Sequence, residues 1–285
     1  MIKGNRRAPA VAGIFYPSDA RELYQLIELS FKEQRFGPGH LPPSEEFNRR
    51  RIYGIVSPHA GYVYSGAVAA NGYYEISSMD FQNVILIGPN HYGIGSGVAA
   101  TKVGSWETPF GALAVNSAYS SEISKKAGVV DFDDFAHSRD HSLEVQLPFL
   151  QYVRPSVQIV PIVLIMQDID TACALGEAIG DTIAEGSQQS IVIASSDLTH
   201  YERNEEAHRK DNELIKAVLA LDVYKYYGVL ERLDVSACGY GAIGSAMIAA
   251  KRLGATKGEL LKYATSGDVT GDTAAVVGYS SIVFV

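Results

Sequence analysis

Three of the chain's seven histidines share one local setting. His59 follows the apolar run of RIYGIVSP, His91 follows NVILIGPN, and His200 follows SIVIASS by a few residues. Histidines scattered over a surface would not repeat a setting in this way. Imidazole is the commonest protein ligand for transition metals, and a thiolate is a soft, strong one. Cys238 sits in DVSACGYGAIG, just ahead of an expected helix. Its small neighbours permit close backbone approach, and a helix N-terminus would favour the thiolate. His59, His91 and Cys238 therefore suggest a three-ligand metal site with open positions for water or substrate. His200 is a fourth polar group, and Asp197, three residues earlier, is placed to orient its ring. A histidine held by a carboxylate beside an open metal position is a general acid or base.

Each residue also has a plainer reading. A single histidine past a strand can be a loop residue that bonds locally. A lone cysteine is usually a buried small side chain. Asp197 can cap a helix in SSDLTHY. His137 and His141 are four apart, a spacing that puts two ligands on one helix face. However, Ser138-Arg139-Asp140 reads as a helix start, so both are assigned capping or surface roles. His141 and Glu144 stay open as pocket residues. Asp268 and Asp272 read as turn residues, His208 as solvated, His40 as a loop residue without company, and Cys173 as off its helix's apolar stripe. Tyr62, Tyr64, Tyr92 and Trp106 are candidate pocket walls, or plain core. GYGAIG matches the dinucleotide pattern without a strand before it, and there is no P-loop or nucleophile elbow.

The elements around these residues alternate. RIYGIV, NVILIG, VQIVPIVLI and SIVIASS read as buried strands, with LLKYATS and AAVVGYSSIVFV as late ones. Helical periodicity follows PSDARE, where Ser18 or Asp19 can cap and Glu22 can complete a capping box. It recurs in AVAANGYYEI, HSLEVQLPFLQYV (shortened or kinked at Pro148), ACALGEAIGDTIAEG, EEAHRKDNELIKAVLAL and GAIGSAMIAAKRL. GVAATKVGSWETPFGALAV reads as a hairpin or excursion, and GPGHLPPSEEFNRRR as a surface loop. The expectation is one domain over 1–285, a three-layer α/β/α sandwich around a mostly parallel, mixed sheet. Such sheets bind ligands beyond the carboxyl ends of their strands, which is where the singled-out residues fall.

Composition narrows the field. A formal net charge of −8, with no basic cluster beyond Arg49-Arg50-Arg51, argues against nucleic acid as a partner. Two cysteines are no disulfide framework and fit a reducing cytoplasm. MIKGNRRAPAVAG lacks the apolar core of a signal peptide, and no run of eighteen apolar residues exists, so no membrane span is expected.

Six ordered blocks, PHAGYVYSG, GPNHYG, SWETPFGAL, DHSLEVQLPFL, SSDLTHY and SGDVTGDTAAVVGY, resemble the motifs of the MEMO family (mediator of ErbB2-driven cell motility). The likeness covers nearly the whole chain. It implies a fold like that of the LigB-type extradiol ring-cleaving dioxygenases, in which two histidines and a glutamate hold a non-haem iron and a further histidine is the acid/base. By similarity His59 and His91 match the histidine ligands, His200 the acid/base, and Cys238 the third ligand position. The resemblance makes iron the leading implied cofactor, while the thiolate softens the site and shifts its preference toward copper(I) or zinc as well. The resemblance also implies a pathway shared with a radical-SAM protein and a second small partner, and, in animal members, phosphotyrosine-peptide binding in the same crevice. Three functions follow as expectations. They are a metal-dependent oxidoreductase of unknown substrate, a non-catalytic adaptor using the crevice for a peptide or anionic ligand, and metal-free thiol chemistry at Cys238 with a histidine base.

Overall fold

Gly54–Ser57, Ser190–Ser195, Asn83–Pro89 and Gln158–Leu164 run parallel at the centre of the sheet, with Ser190–Ser195 between Gly54–Ser57 and Asn83–Pro89. The computed structural model describes residues 2–3, 5–43, 50–102 and 104–285; Arg49 of the arginine run and part of the 37–51 loop lie outside them. Along each central strand, side chains alternate between two cores. Ile85, Ile87, Val160, Ile162, Val192 and Ala194 enter one. Val84, Leu86, Ile159, Val163, Ile191 and Ile193 enter the other. Both faces are buried, which is why these strands read as unbroken apolar runs.

The flanks are antiparallel. Val276–Phe284 pairs with Gly54–Ser57, Gly258–Thr265 and His200–Glu202, and Val98–Ala100 pairs with Gln158–Leu164. Helices Ile169–Glu185, Asn204–Leu219, Val223–Leu233 and Tyr240–Leu253 cover one face, while Ala20–Lys32, Tyr62–Ser77 and Gln146–Val153 cover the other. The result is the expected three-layer α/β/α sandwich around a mixed sheet.

Local chemistry explains the elements. Asp19 caps Ala20–Lys32, accepting from the Arg21 and Glu22 amides. Leu23, Ile27 and Phe31 of that helix are fully buried, each contributing roughly 1.5–3 kcal/mol. Helices Ile169–Glu185 and Tyr240–Leu253 meet through small residues: a Cβ at Gly176 would lie 2.6 Å from the Ser245 carbonyl oxygen.

Some elements differ from expectation. The helix read from His141 begins only at Gln146. Pro148 then falls in the first turn, where its missing N–H breaks no helical bond. Residues 138–145 are left irregular apart from turns. In the 97–115 segment, Val98–Ala100 joins the main sheet, and only Ser105–Thr108 with Gly111–Ala114 forms the hairpin. That hairpin joins Arg6–Arg7 and Ile2–Lys3 in a small second sheet. Helices Ser117–Ala127 and Val223–Leu233 were not anticipated. Among the described residues no helix is long and apolar enough to cross a membrane.

Candidate functional site

A crevice of about 540 Å³ opens past the carboxyl ends of the central strands, lined by His59, His91, His141, Asp197, His200 and Cys238, with Phe15, Tyr64 and Tyr201 among its other walls. The strand-end logic thus brings together all five residues singled out for metal binding and proton transfer. His141, left open as a pocket residue, joins them.

His59 is 1% exposed, and its ring is locked from behind. The Ser195 hydroxyl donates its one proton to the Ser142 carbonyl at 2.6 Å and accepts Nε2–H of Gln146 at 2.7 Å. Gln146 is oriented in turn by the Tyr73 hydroxyl at its Oε1, 2.8 Å, and the Pro58 carbonyl at its Nε2, 3.0 Å. What remains for Ser195 at 2.9 Å from His59 Nδ1 is to accept. His59 therefore carries its proton on Nδ1, and the bare Nε2 faces Cys238 Sγ at 3.1 Å. Burial, then the neighbouring His91 and His141, hold its pKa well below the usual imidazole value.

His91 is fixed by Asp140. One carboxylate oxygen accepts the His91 backbone N–H at 2.7 Å and Nδ1–H at 3.3 Å, and the other accepts the Ser142 amide at 2.8 Å. Burial alone would raise the Asp140 carboxyl, but the His91 and Ser142 hydrogen bonds outweigh it and keep it below the usual carboxylate range. His91 thus also offers Nε2. His141 stacks on it with centroids 4.3 Å apart and an interplanar angle of 17°, and packs against Phe15 at 4.4 Å. Burial and His91 lower the His141 pKa to about 4. Ligand nitrogens of His59, His91 and His141 all lie within 4.8 Å of one another, a cluster able to hold a metal ion.

The expectation that Asp197 orients His200 is corrected. His200 Nδ1–H donates to the Ser236 carbonyl at 2.9 Å, which leaves Nε2 as an unprotonated acceptor. Asp197 accepts the His59 backbone N–H at 2.9 Å instead, and burial raises its pKa to about 6. No helix starts there, so the cap reading also falls. Tyr201, next to His200, has φ of 60° and is 79% exposed. A non-glycine residue in this region costs roughly 1–2 kcal/mol, the kind of strain that gathers at functional sites.

Cys238 is pinned by its backbone. Its N–H donates to the Asp197 carbonyl at 3.2 Å, and the Asp197 N–H donates to Sγ at 3.3 Å. Gly239 makes this approach feasible: a Cβ there would lie 2.5 Å from the Ser195 carbonyl oxygen. The anticipated thiolate is not favoured in the metal-free chain, because burial and then the Asp197 charge push the thiol's pKa upward.

Other sequence candidates resolve into structural roles. Glu144 is fully buried and accepts from Arg7 Nη1 at 2.7 Å, the Ala10 and Val11 amides at 2.8 and 3.0 Å, and the Tyr16 hydroxyl at 2.7 Å. It anchors residues 7–16 and does not line the crevice. His137 is buried edge-on to Trp106, and Trp106 lies under the Arg7 guanidinium. Of the proposed aromatic walls only Tyr64 lines the crevice; Tyr62 is buried with its hydroxyl on the Val145 carbonyl. Asp268 completes a capping box with Thr265, and His40 has company after all in the Tyr74 hydroxyl.

Comparison with known proteins adds a second line of evidence. Residues 7–283 match the family model described as Memo-like protein. A MEMO1 family protein of Nitrosopumilus maritimus is 49% identical over 280 residues, 98% of this chain and 99% of that protein. One from Methanopyrus kandleri is 46% identical over 280 residues, 98% of each chain. One from Methanocaldococcus jannaschii is 43% identical over 285 residues, 97% of this chain and 98% of its own.

Proposed function

The chain belongs to the Memo-like family, and on that premise we propose that its crevice is a transition-metal centre of an oxidoreductase acting on a small molecule. His59 Nε2, His91 Nε2 and Cys238 Sγ are the ligands. The observations that carry this reading are the bare Nε2 of His59 facing Cys238 Sγ at 3.1 Å and the His59, His91 and His141 nitrogens lying within 4.8 Å of one another. Two donors bound at about 2.0 and 2.3 Å to one ion in tetrahedral geometry stand roughly 3.5 Å apart, so the pair needs little movement. Neutral imidazoles suit the role, and the low pKa of His59 keeps it neutral through physiological pH. The family likeness makes iron the first candidate, and the mixed nitrogen and sulfur set equally suits copper and zinc, in a reducing cytoplasm that keeps Cys238 reduced.

Bound there, such an ion supplies Lewis acidity and one-electron chemistry. The chain's own residues supply the rest. His200 Nε2, with its tautomer set by Ser236, accepts a proton from the hydroxyl of a bound ligand and can return it. His141, stacked between His91 and Phe15, narrows the entry. Tyr64 and Tyr201 add aromatic walls to the crevice.

Two observations weigh against the alternatives. No lysine or arginine lines the crevice among the described residues, whereas phosphate and carboxylate recognition commonly relies on arginine. That disfavours an anionic-peptide adaptor. The raised pKa of Cys238 disfavours metal-free thiol chemistry, which needs a thiolate. The test is oxygen uptake by the iron- or copper-loaded protein with catechols and other redox-active phenols, compared with His200→Gln. Uptake that needs metal, and falls 10²-fold or more in a variant that keeps its metal, supports the reading. No metal-dependent turnover, with equal ligand binding by loaded and metal-free protein, would favour the adaptor.

A further inference from the structure

The DHSLEVQ block contributes one ring, His141, to the crevice, yet its other polar groups face backward. Asp140 receives two N–H groups of His91 through one carboxylate oxygen and the Ser142 amide through the other. The Ser142 carbonyl takes the Ser195 hydroxyl proton, and Gln146 donates to the same hydroxyl oxygen. Ser195 in turn meets His59 Nδ1. Ser142 Oγ donates to the Pro89 carbonyl at 2.9 Å, two residues before His91, and Gln146 donates to the Pro58 carbonyl, one before His59. From outside, the block is braced by Arg7, whose Nη2 donates to the Asp140 carbonyl at 2.7 Å and whose Nη1 pairs with Glu144.

The geometry points to residues 140–146 as the positioning element of the centre: Asp140 sets the ring and tautomer of His91 directly, and Ser142 with Gln146 sets those of His59 through Ser195. This rests on reading the crevice as a metal centre. None of Asp140, Ser142, Gln146 and Ser195 lines the crevice, so each acts through a histidine and not on a ligand. The two relays end on different rings, Asp140 on His91 and Ser195 on His59, and meet only at Ser142, whose amide Asp140 accepts. Partners of this kind fix which nitrogen is free and raise ligand basicity, and their loss typically costs 10–100-fold in metal affinity.

The experiment uses the full chain, metal-free and then titrated with zinc. Nitrogen-15 NMR of histidine-labelled protein reads each ring's tautomer without metal. In the wild type, His59 and His91 are expected as Nδ1–H tautomers. Asp140→Ala should release His91 into a tautomer mixture and disturb His59 far less, through Ser142 alone, whereas Ser195→Ala should release only His59. Each variant should bind zinc 10–100-fold more weakly in a competition titration. A purely structural role would lower the melting temperature of both variants and leave tautomers and affinity unchanged, which overturns the inference. So does finding His91 as Nε2–H in the wild type, a result that needs no variant to fold. If wild-type protein fails to bind zinc, iron and copper alike, the metal reading falls, while the tautomers still decide whether Asp140 and Ser195 hold the rings.

Discussion

Glu144→Leu should destabilise the fold by about 3–5 kcal/mol, the range for removing one partner of a buried ion pair. The figure follows from what the carboxylate leaves behind. Arg7 is fully buried and keeps only the carbonyls of His137 and Asp140 as acceptors. The Ala10 and Val11 amides and the Tyr16 hydroxyl also lose their acceptor. An unsatisfied buried group costs roughly 1–3 kcal/mol, so the upper end of the range is expected. Leucine approximates the volume, which keeps any cavity contribution small. Urea unfolding of the wild type, Arg7→Met, Glu144→Leu and the double variant measures it. The double variant should be less destabilised than the sum of the single ones, because no charge is left buried alone. A loss below about 1 kcal/mol in Glu144→Leu would refute the view that this pair anchors residues 7–16. The same anchor delivers Phe15 to His141, so the damage should reach the crevice as weaker metal binding.

Further outcomes follow from other residues. Burial lowers the His137 pKa to about 4 in the fold, against about 6.5 when unfolded, so its stabilisation is complete above pH ~6.5 and is lost as pH falls toward 4. The full loss is roughly 3 kcal/mol, and His137→Gln should flatten the pH dependence of urea stability across that window; an unchanged slope would contradict the assignment. Gly239→Ala forces a backbone shift next to Cys238, since its Cβ would clash with the Ser195 carbonyl. It should cost about 1–3 kcal/mol and weaken metal binding at least tenfold, and wild-type affinity would show that the close approach is not needed. In metal-free protein at pH 7.5, iodoacetamide should modify Cys238 more slowly than an unstructured thiol, because burial disfavours the thiolate. Faster labelling would revive thiol chemistry.

The central strands were legible because burial on both faces leaves no polar interruptions, and their carboxyl ends pointed to His59, His91 and His200 before any contact was known. Cys238 was legible from its small neighbours, which reflect the tight approach at Gly239. His141 stayed divided between a capping role and the pocket because apolar periodicity runs back from Gln146 into DHSLEV. Pro148 carried the missing signal: a proline belongs in a first turn, so the helix had to begin near Gln146 and leave His141 outside. Glu144 stayed ambiguous because its partner Arg7 is 137 residues away, and no local pattern shows such a pairing. For the same reason Asp197, near in sequence, displaced Ser236 as the expected partner of His200. Helix Val223–Leu233 escaped notice because only Tyr226 and Val229 are buried in an otherwise exposed or half-buried stretch.

The most direct test of the metal centre is elemental analysis of protein purified anaerobically without chelators, as wild type, His59→Ala and Cys238→Ser. About one equivalent of transition metal per chain, iron ahead of copper and zinc, is expected in the wild type and should be lost from both variants. A metal-free wild type, or a Cys238→Ser protein carrying the same metal at the same affinity, would contradict the proposed ligand set.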